Sequence, residues 1–373
     1  MEESRYILGC MTGTSIDGID VAAVKVTGNG LSLAAKFLGH VGAGLGELEA
    51  PLRAFASQQP ATARDIALLA RKFSLLHADV CKKMWEKLQA ELRVPHVPHL
   101  ISVHGQTVFH QPPASWQLFQ PAPLALLMNC PVVCDLRAAD IAAGGQGAPL
   151  TPLADYFLFA RPDSQVTILN LGGFLNYSIL PMRTPGLPLG DVASKLAEIR
   201  GGDVFPCNHL LDAISRKGFG KPFDEGGKLA MSGRVYTGLL DSLDMFAPSH
   251  DSPRSLGTGD ELTQWVDQAL QHHSPQDAAA TACAAIARAV RRKLTSPGAI
   301  LLFGGAARHR RLCQELENAI GREYFSTTTM PPDAREAAGW AVLGALAADG
   351  VAVGLEAVTR TTVTPRLAGV WTY

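Results

Sequence analysis

Three short segments of the chain place glycine beside small or hydroxyl-bearing residues directly after an apolar run: Gly13-Thr14-Ser15, Gly172-Gly173 and Gly304-Gly305. A turn of this composition offers backbone N–H groups and hydroxyls to an anion without side-chain obstruction, which is what holding a phosphate requires. Each turn taken singly is equally a tight hairpin that needs a positive φ. Three of them at the ends of predicted strands favour the phosphate reading. Asp17 lies inside the first turn, Gly18 closes it and Asp20 follows. A carboxylate beside bound phosphates repels them unless a cation stands between. Mg²⁺ held largely through water is therefore expected there, with Asp17 as its candidate ligand. The plainer roles are an Asx turn for Asp17 and a solvent-facing strand position for Asp20. The chain has no G-x-x-x-x-G-K-[ST] loop and no G-x-G-x-x-G opening a helix, and Ser15 lacks the G-x-S-x-G frame of a nucleophile elbow.

A second constellation lies between Asp135 and Pro149, where Gly144, Gly145 and Gly147 surround Gln146. Glycines let a backbone approach a ligand closely, while Asp135, Arg137, Asp140 and Gln146 supply groups that bind hydroxyls and carboxylates. That mixture suits a sugar or sugar acid. His104 and Gln106, just after a predicted strand, are candidates to join them; a satisfied core histidine is the plainer reading of His104.

These residues need a scaffold, and the apolar pattern supplies one. Positions Ile66, Leu69, Phe73, Leu76, Val80, Met84 and Leu88 recur every three or four residues and predict a helix from Ala63 to Leu92. Ser274-Pro275 opens a second helix as N-cap and first residue, running to Leu294 with Arg291, Arg292 and Lys293 at its negative end. A third helix is predicted from Asp333 to Ala348. Small residues dominate both late helices, so both are expected to pack closely on a sheet. Tyr6–Cys10, a polar turn and Ile19–Val26 form one hairpin; Val166–Asn170, a glycine turn and Leu175–Leu180 form another half a chain away. Leu100–Val103 and Ala299–Phe303 each end in a small-residue turn. The repetition predicts a duplicated α/β domain with a cleft between the copies.

Composition narrows the function classes. Lys and Arg number 33 against 34 Asp and Glu, a net charge of −1, which lacks the polycationic signature of a nucleic-acid binder. No apolar window reaches membrane-spanning length, and the acidic start, Glu2-Glu3, is unlike a signal peptide. Seven cysteines without dense pairing suit a reducing, cytoplasmic setting. Cys130 and Cys134 are read as small core residues.

The residues Met11-Thr-Gly-Thr-Ser-Ile-Asp-Gly-Ile-Asp20, His104-Gly-Gln-Thr107, Asp135-x-Arg137, Ala143-Gly-Gly-Gln-Gly-Ala-Pro149 and Asn170-Leu-Gly-Gly-Phe-Leu-Asn176 resemble, in order and spacing, the 1,6-anhydro-N-acetylmuramic acid kinases. The resemblance continues through Phe223-Asp-Glu-Gly-Gly227, Ser232-Gly233 and Asp333-Ala-Arg-Glu-Ala337 to a closing segment at Thr361–Tyr373. It implies a duplicated actin-like ATPase fold: two lobes of mixed sheet flanked by helices with a central cleft, the first made of residues 1–163 and 335–373, the second of 164–334. It implies ATP and Mg²⁺ as cofactors, a small-molecule anhydro sugar as partner, no nucleic acid or membrane, and a homodimer. It also implies the reaction, hydration of the 1,6-anhydro ring with phosphorylation of O6 during cell-wall recycling. Finally it implies a base at Asp203, because Asp203, Pro206 and Asn208 match the family's Asp-x-Gly-Pro-Gly-Asn motif. By type alone, an Asp in a turn is an Asx cap.

Several positions depart from the family pattern. Phe205 and Cys207 replace glycines of that motif, Phe303 replaces the first glycine of the third turn, Arg308 stands for Asn, and Phe119 replaces a glycine of the sugar region. Ser255-Leu-Gly-Thr-Gly-Asp260 matches its family counterpart in part. Two other readings stay open at this point: a kinase for another anhydro sugar such as levoglucosan, and a nucleotide-binding homologue without kinase chemistry.

Overall fold

The computed structural model describes residues 4–13, 15–183, 189–246, 260–361 and 367–373. Thr14 and most of the Ser255–Asp260 segment lie outside the described residues. The fold is mixed α/β, and its contacts gather into two compact units: Met1–Asp163 with Leu180–Arg200 and Asp333–Tyr373, and Ser164–Ile179 with Gly201–Pro332.

The first unit is built on a six-stranded sheet. Strand β1 (Arg5–Met11) pairs antiparallel with β2 (Gly18–Thr27), from Arg5 opposite Val26 to Met11 opposite Asp20, and β2 pairs antiparallel with β3 (Ala34–Gly44). On its other side β1 runs parallel to β4 (Leu100–Val103). A separate hairpin, β5 (Gln106–Gln111) and β6 (Ala114–Leu118), follows, and then β7 (Val132–Cys134) runs parallel to β4. The order closes as β12-β7-β4-β1-β2-β3, with β12 (Val370–Thr372) on the edge. All four residues of β4 are buried, as expected of a parallel strand covered on both faces.

Helices lie over this sheet where the sequence predicts them. Thr62 and Asp65 form a reciprocal capping box at the head of the helix Ala63–Glu91. Its inward stripe of Phe73, His77, Val80, Met84 and Leu88 is buried at the expected spacing. The helix Ala334–Ala348 crosses β1 and β2 so closely that a Cβ at Gly9 would run into the carbonyl of Ala337. Its small residues allow that approach.

The second unit has a four-stranded sheet in the order β10-β9-β8-β11: β8 (Val166–Leu171), β9 (Phe174–Leu180), β10 (Arg200–Pro206) and β11 (Ala299–Phe303). The two-residue turn Gly172-Gly173 joins β8 and β9, and β11 runs parallel to β8 with Ala299 opposite Val166. This order repeats β3-β2-β1-β4 of the first unit, so the duplication expected from the hairpin pattern is present in the topology. The alanine-rich helix Pro275–Lys293, capped by Ser274, makes its closest contacts with the helices Asn208–Phe219 and Arg310–Ile320 and shares a core with Leu169, Leu171 and Ile300 of the sheet. Its alanines serve close helix–helix packing.

No helix among the described residues is long and apolar enough to cross a membrane. The described cysteines are free thiols, with Cys130 and Cys134 buried as expected.

Candidate functional site

In the first unit the turn after β1 is held from both sides. The Ile16 N–H donates to Gly13 O at 3.2 Å, and the Ser15 hydroxyl donates to Asp17 Oδ1 at 2.9 Å, a bond between side chains and not the side-chain-to-backbone bond of an Asx turn. Ile16 has φ +52° while its side chain is buried. That backbone state is uncommon for a β-branched residue. Burial of the Ile16 side chain fixes the turn and leaves Ser15 and Asp17 facing solvent. Asp20 is not a free, solvent-facing residue: His40 on β3 reaches its Oδ1 with Nε2 at 2.8 Å. Gly18 opens β2 where β3 is close, and a Cβ there would lie 2.9 Å from Ala43 O. Gln106 Nε2 donates to Gly13 O at 3.4 Å and ties the turn to the segment after β4.

That segment carries His104, which is buried and accepts two hydrogen bonds at Nε2, from Arg137 Nε at 3.2 Å and Nη2 at 3.0 Å. Burial first, and the Arg137 charge second, hold its pKa down to about 3, so the ring is neutral and its proton sits on Nδ1. Nδ1 is buried without a hydrogen-bond partner, as are Gln106 Oε1 and Thr12 Oγ1. Native folds rarely leave such groups unsatisfied, so three of them beside the turn mark a place where a polar ligand or water belongs. His104 is thus a core histidine by burial, yet its partner is a functional candidate.

Arg137 donates through Nη1 to Gly147 O at 2.8 Å. Its hydrogen bonds go to His104 and this carbonyl and not to Asp135 or Asp140, which act on it only through charge. Burial lowers its pKa to about 10, opposed by Glu336, Asp135 and Asp140, so it stays charged at neutral pH. Asp135, half-buried at φ +54°, has its carboxyl raised by burial while the Ala138 N–H pulls the other way.

Asp140 and Gly145 have structural roles in the loop itself. Asp140 is fully buried and accepts from Gly147 N and Thr359 Oγ1, each at 2.7 Å, so its carboxylate shapes the loop and faces no ligand. A Cβ at Gly145 would strike that carboxylate, which accounts for glycine there without a ligand. Gln146 is exposed, with its N–H bound to Thr359 O at 2.7 Å.

Glu336 was not singled out by the sequence. It opens the helix Ala334–Ala348, and burial raises its pKa against the opposing charges of Arg335 and Arg137, with Asp155 and Asp20 adding to the rise. Its signal was its place in the Asp333-Ala-Arg-Glu-Ala337 motif, directly after Arg335.

In the second unit the Asp203–Asn208 segment docks on the glycine turn. The N–H groups of Cys207 and Asn208 donate to Gly173 O and Gly172 O, both at 2.9 Å, and Asn208 Nδ2 reaches Leu171 O at 3.4 Å. Asn208 also stands 3.6 Å from where a Gly305 Cβ would lie, so it bridges two of the predicted turns. Asp203 lies half-buried on β10, its pKa raised by burial alone. Four residues into the next helix, Asp212 has a carboxyl raised further, to about 6, by burial that Arg216 partly offsets. A half-buried carboxylate titrating near neutrality is a functional candidate in its own right.

The glycines of the two turns divide by cause. Gly304 has φ +84°, and a Cβ would sit 2.7 Å from the Leu171 carbonyl, so the fold demands glycine there. Gly173 is covered by the His209 ring, 2.5 Å from a Cβ position. Gly172 and Gly305 have no such crowding, their nearest neighbours lying 3.5 and 3.6 Å away. The bulky departures from the family pattern turn inward. Phe205, Cys207 and Phe303 are essentially inaccessible. Phe119 packs edge-on against Phe73 and His77.

A profile described as anhydro-N-acetylmuramic acid kinase matches residues 5–373. The anhydro-N-acetylmuramic acid kinase of Bordetella petrii is 34% identical over 371 residues, covering 95% of this chain and 93% of its own length. That of Burkholderia vietnamiensis is 35% identical over 326 residues, covering 84% and 80%. Among solved structures, a ROK family glucokinase from Streptomyces griseus aligns over 91% of this chain and 99% of its own at 14% identity, with a TM-score of 0.40.

Proposed function

The chain belongs to the anhydro-N-acetylmuramic acid kinase family, and from that premise we propose that it uses ATP to open the 1,6-anhydro ring of anhydro-N-acetylmuramic acid and phosphorylate O6. Water adds to the anomeric carbon as the C1–O6 bond breaks, and O6 takes the γ-phosphoryl group with release of ADP. The products are N-acetylmuramic acid 6-phosphate and ADP. One proton must leave the attacking water, and the observation that carries this reading is Asp203. Its half-buried carboxylate, raised by desolvation and by no charged neighbour, is poised to accept that proton.

The Gly172-Gly173 and Gly304-Gly305 turns serve the nucleotide, with Gly13, Ser15 and Gly18 serving the transferring phosphoryl group. Asp17 and Asp20 would hold Mg²⁺ through water. Their carboxylates are tied to Ser15 and His40, and among the described residues no cluster of three His, Cys, Asp or Glu forms a closed metal cage. That donor set suits a hydrated ion that completes its shell with phosphate oxygens. Such an ion, when bound, offsets phosphate charge.

Arg137, fixed by His104 and Gly147, is the proposed partner of the lactyl carboxylate, with Gln106, Gln146 and Asp135 toward the sugar hydroxyls. Arg137→Leu should raise KM for anhydro-N-acetylmuramic acid about tenfold or more, the value of one charge-assisted bond, and affect levoglucosan far less. ADP-release kinetics on both sugars test this. Equal losses on the two, or a wild-type preference for levoglucosan, would reassign the sugar while keeping the kinase.

The glycine analysis gives a second test. Gly172→Val should fold and weaken ADP binding at least several-fold, whereas Gly304→Val should lose thermal stability first, because valine is strained at positive φ and collides with Leu171. Calorimetric titration and melting curves separate the two.

A further inference from the structure

His209 is the second residue of the helix Asn208–Phe219, and its N–H donates to Gly173 O at 3.2 Å. Its ring covers the turn: a Cβ at Gly173 would fall 2.5 Å from Nε2 and 2.9 Å from Cε1. The other flank of the ring meets Phe174 edge-on, with centroids 5.0 Å apart. The side chain is exposed, and neither ring nitrogen makes a hydrogen bond among the described residues. The imidazole thus lies over the turn, beside Gly173 and Phe174, with both nitrogens accessible to a group outside the chain.

Charge points the same way. Of the segments that meet at this turn, residues 166–180 and 201–209 contain no Lys or Arg, and the third, residues 299–308, carries its one cation at its far end, Arg308, so within the first two segments His209 is the single side chain able to gain positive charge. The first N–H groups of the helix do not fill that need, since those of Cys207, Asn208 and His209 already donate to the turn carbonyls.

We propose that His209 binds the phosphates of the nucleotide, donating a ring N–H to a phosphate oxygen at the Gly172-Gly173 turn. This rests on reading that turn as a phosphate turn. From the hairpin, uncharged Gly173 and Phe174 face the ring; along its own helix the charge that bears on it is Arg216. Burial, then Arg216, keeps the free imidazole below its usual range, hence neutral at pH 7. A phosphate beside it favours the imidazolium, so docking draws in a proton. Nucleotide affinity should therefore rise as pH falls through the titration of the bound form.

The test is titration of the intact protein with ADP and Mg²⁺ near pH 6.5, in two buffers of different ionisation enthalpy, which counts protons taken up per ADP bound. Wild type should take up more protons than His209→Gln, and the variant should bind ADP about tenfold more weakly at that pH, with the gap narrowing toward pH 8.5. His209→Asn gives a second variant should the first fold poorly. Equal proton uptake and equal affinity in wild type and either folded variant would overturn the proposal. Gly172→Val separates the premise from the inference. If it loses ADP while His209→Gln binds and titrates like wild type, His209 alone is misassigned; if it too binds normally, the phosphate turn is misplaced.

Discussion

Asp203→Asn is expected to fold, bind ADP with wild-type affinity and lower kcat by about 10²-fold or more, the smaller end of what a positioned base contributes. Asn keeps the size and one oxygen of the side chain, so water can still be oriented; what is lost is the proton acceptor. Burial raises the Asp203 carboxyl above its ordinary range, so the base is disarmed earlier on acidification than a free Asp. Wild-type kcat should fall as pH drops through that raised value, and the variant's residual rate should lose this limb. Asp212 makes the test sharper. With a carboxyl near pH 6 it is the better-tuned base by titration alone, and Asp212→Asn is the necessary comparison. A 10²-fold loss in Asp212→Asn beside near-normal turnover in Asp203→Asn would move the proton acceptor to Asp212.

The elements that position these groups were legible because their signals are local. A periodic stripe from Ile66 to Leu88 and a Ser274-Pro275 start each encode a helix within a few residues. Glycine turns between apolar runs encode the hairpins, and their repetition encodes the duplicated strand order. What a glycine is for was not legible. Gly145, Gly173 and Gly304 each look like an opening for a ligand, yet Gly304 is required by the Leu171 backbone far away in sequence, Gly145 by the buried Asp140 carboxylate five residues before it, and Gly173 is covered by the His209 ring. No property of the glycine itself separates these cases from Gly172, whose surroundings are open.

Polar partners were equally hidden. Arg137 sits within three residues of Asp135 and Asp140, so charge proximity in sequence suggests a pair with one of them. The fold brings His104 to it from another strand end, and Asp140 turns inward to Gly147 and Thr359. Glu336 was overlooked for the opposite reason. Its alanine-rich surroundings read as packing surface, and only the fold shows Arg335 and Arg137 acting on it.

The largest stability effect should come from the pair behind Glu336. Asp155, on the helix Thr151–Phe159, and Arg335, on the helix Ala334–Ala348, are both almost wholly buried and joined twice, Nε to Oδ1 at 2.9 Å and Nη2 to Oδ2. Burial raises the Asp155 carboxyl in spite of the arginine, which means that desolvation outweighs the attraction it gains from its partner. Two consequences follow for denaturant unfolding. Asp155→Ala takes from the buried guanidinium the carboxylate it is doubly bonded to and should cost about 3–5 kcal/mol, whereas the double change Asp155→Leu with Arg335→Met removes both charges and should recover most of that loss. Additive losses in the double variant would show that the pair is a net source of stability, contrary to its desolvated setting. Recovery of stability need not restore turnover. Arg335 is the first of the charges opposing the rise of the Glu336 pKa and outweighs Asp155, which adds to it, so removing both should push that carboxyl higher and shift the acid limb of kcat upward if Glu336 must be ionised. A stable double variant with an unmoved pH profile would confine Glu336 to a structural role.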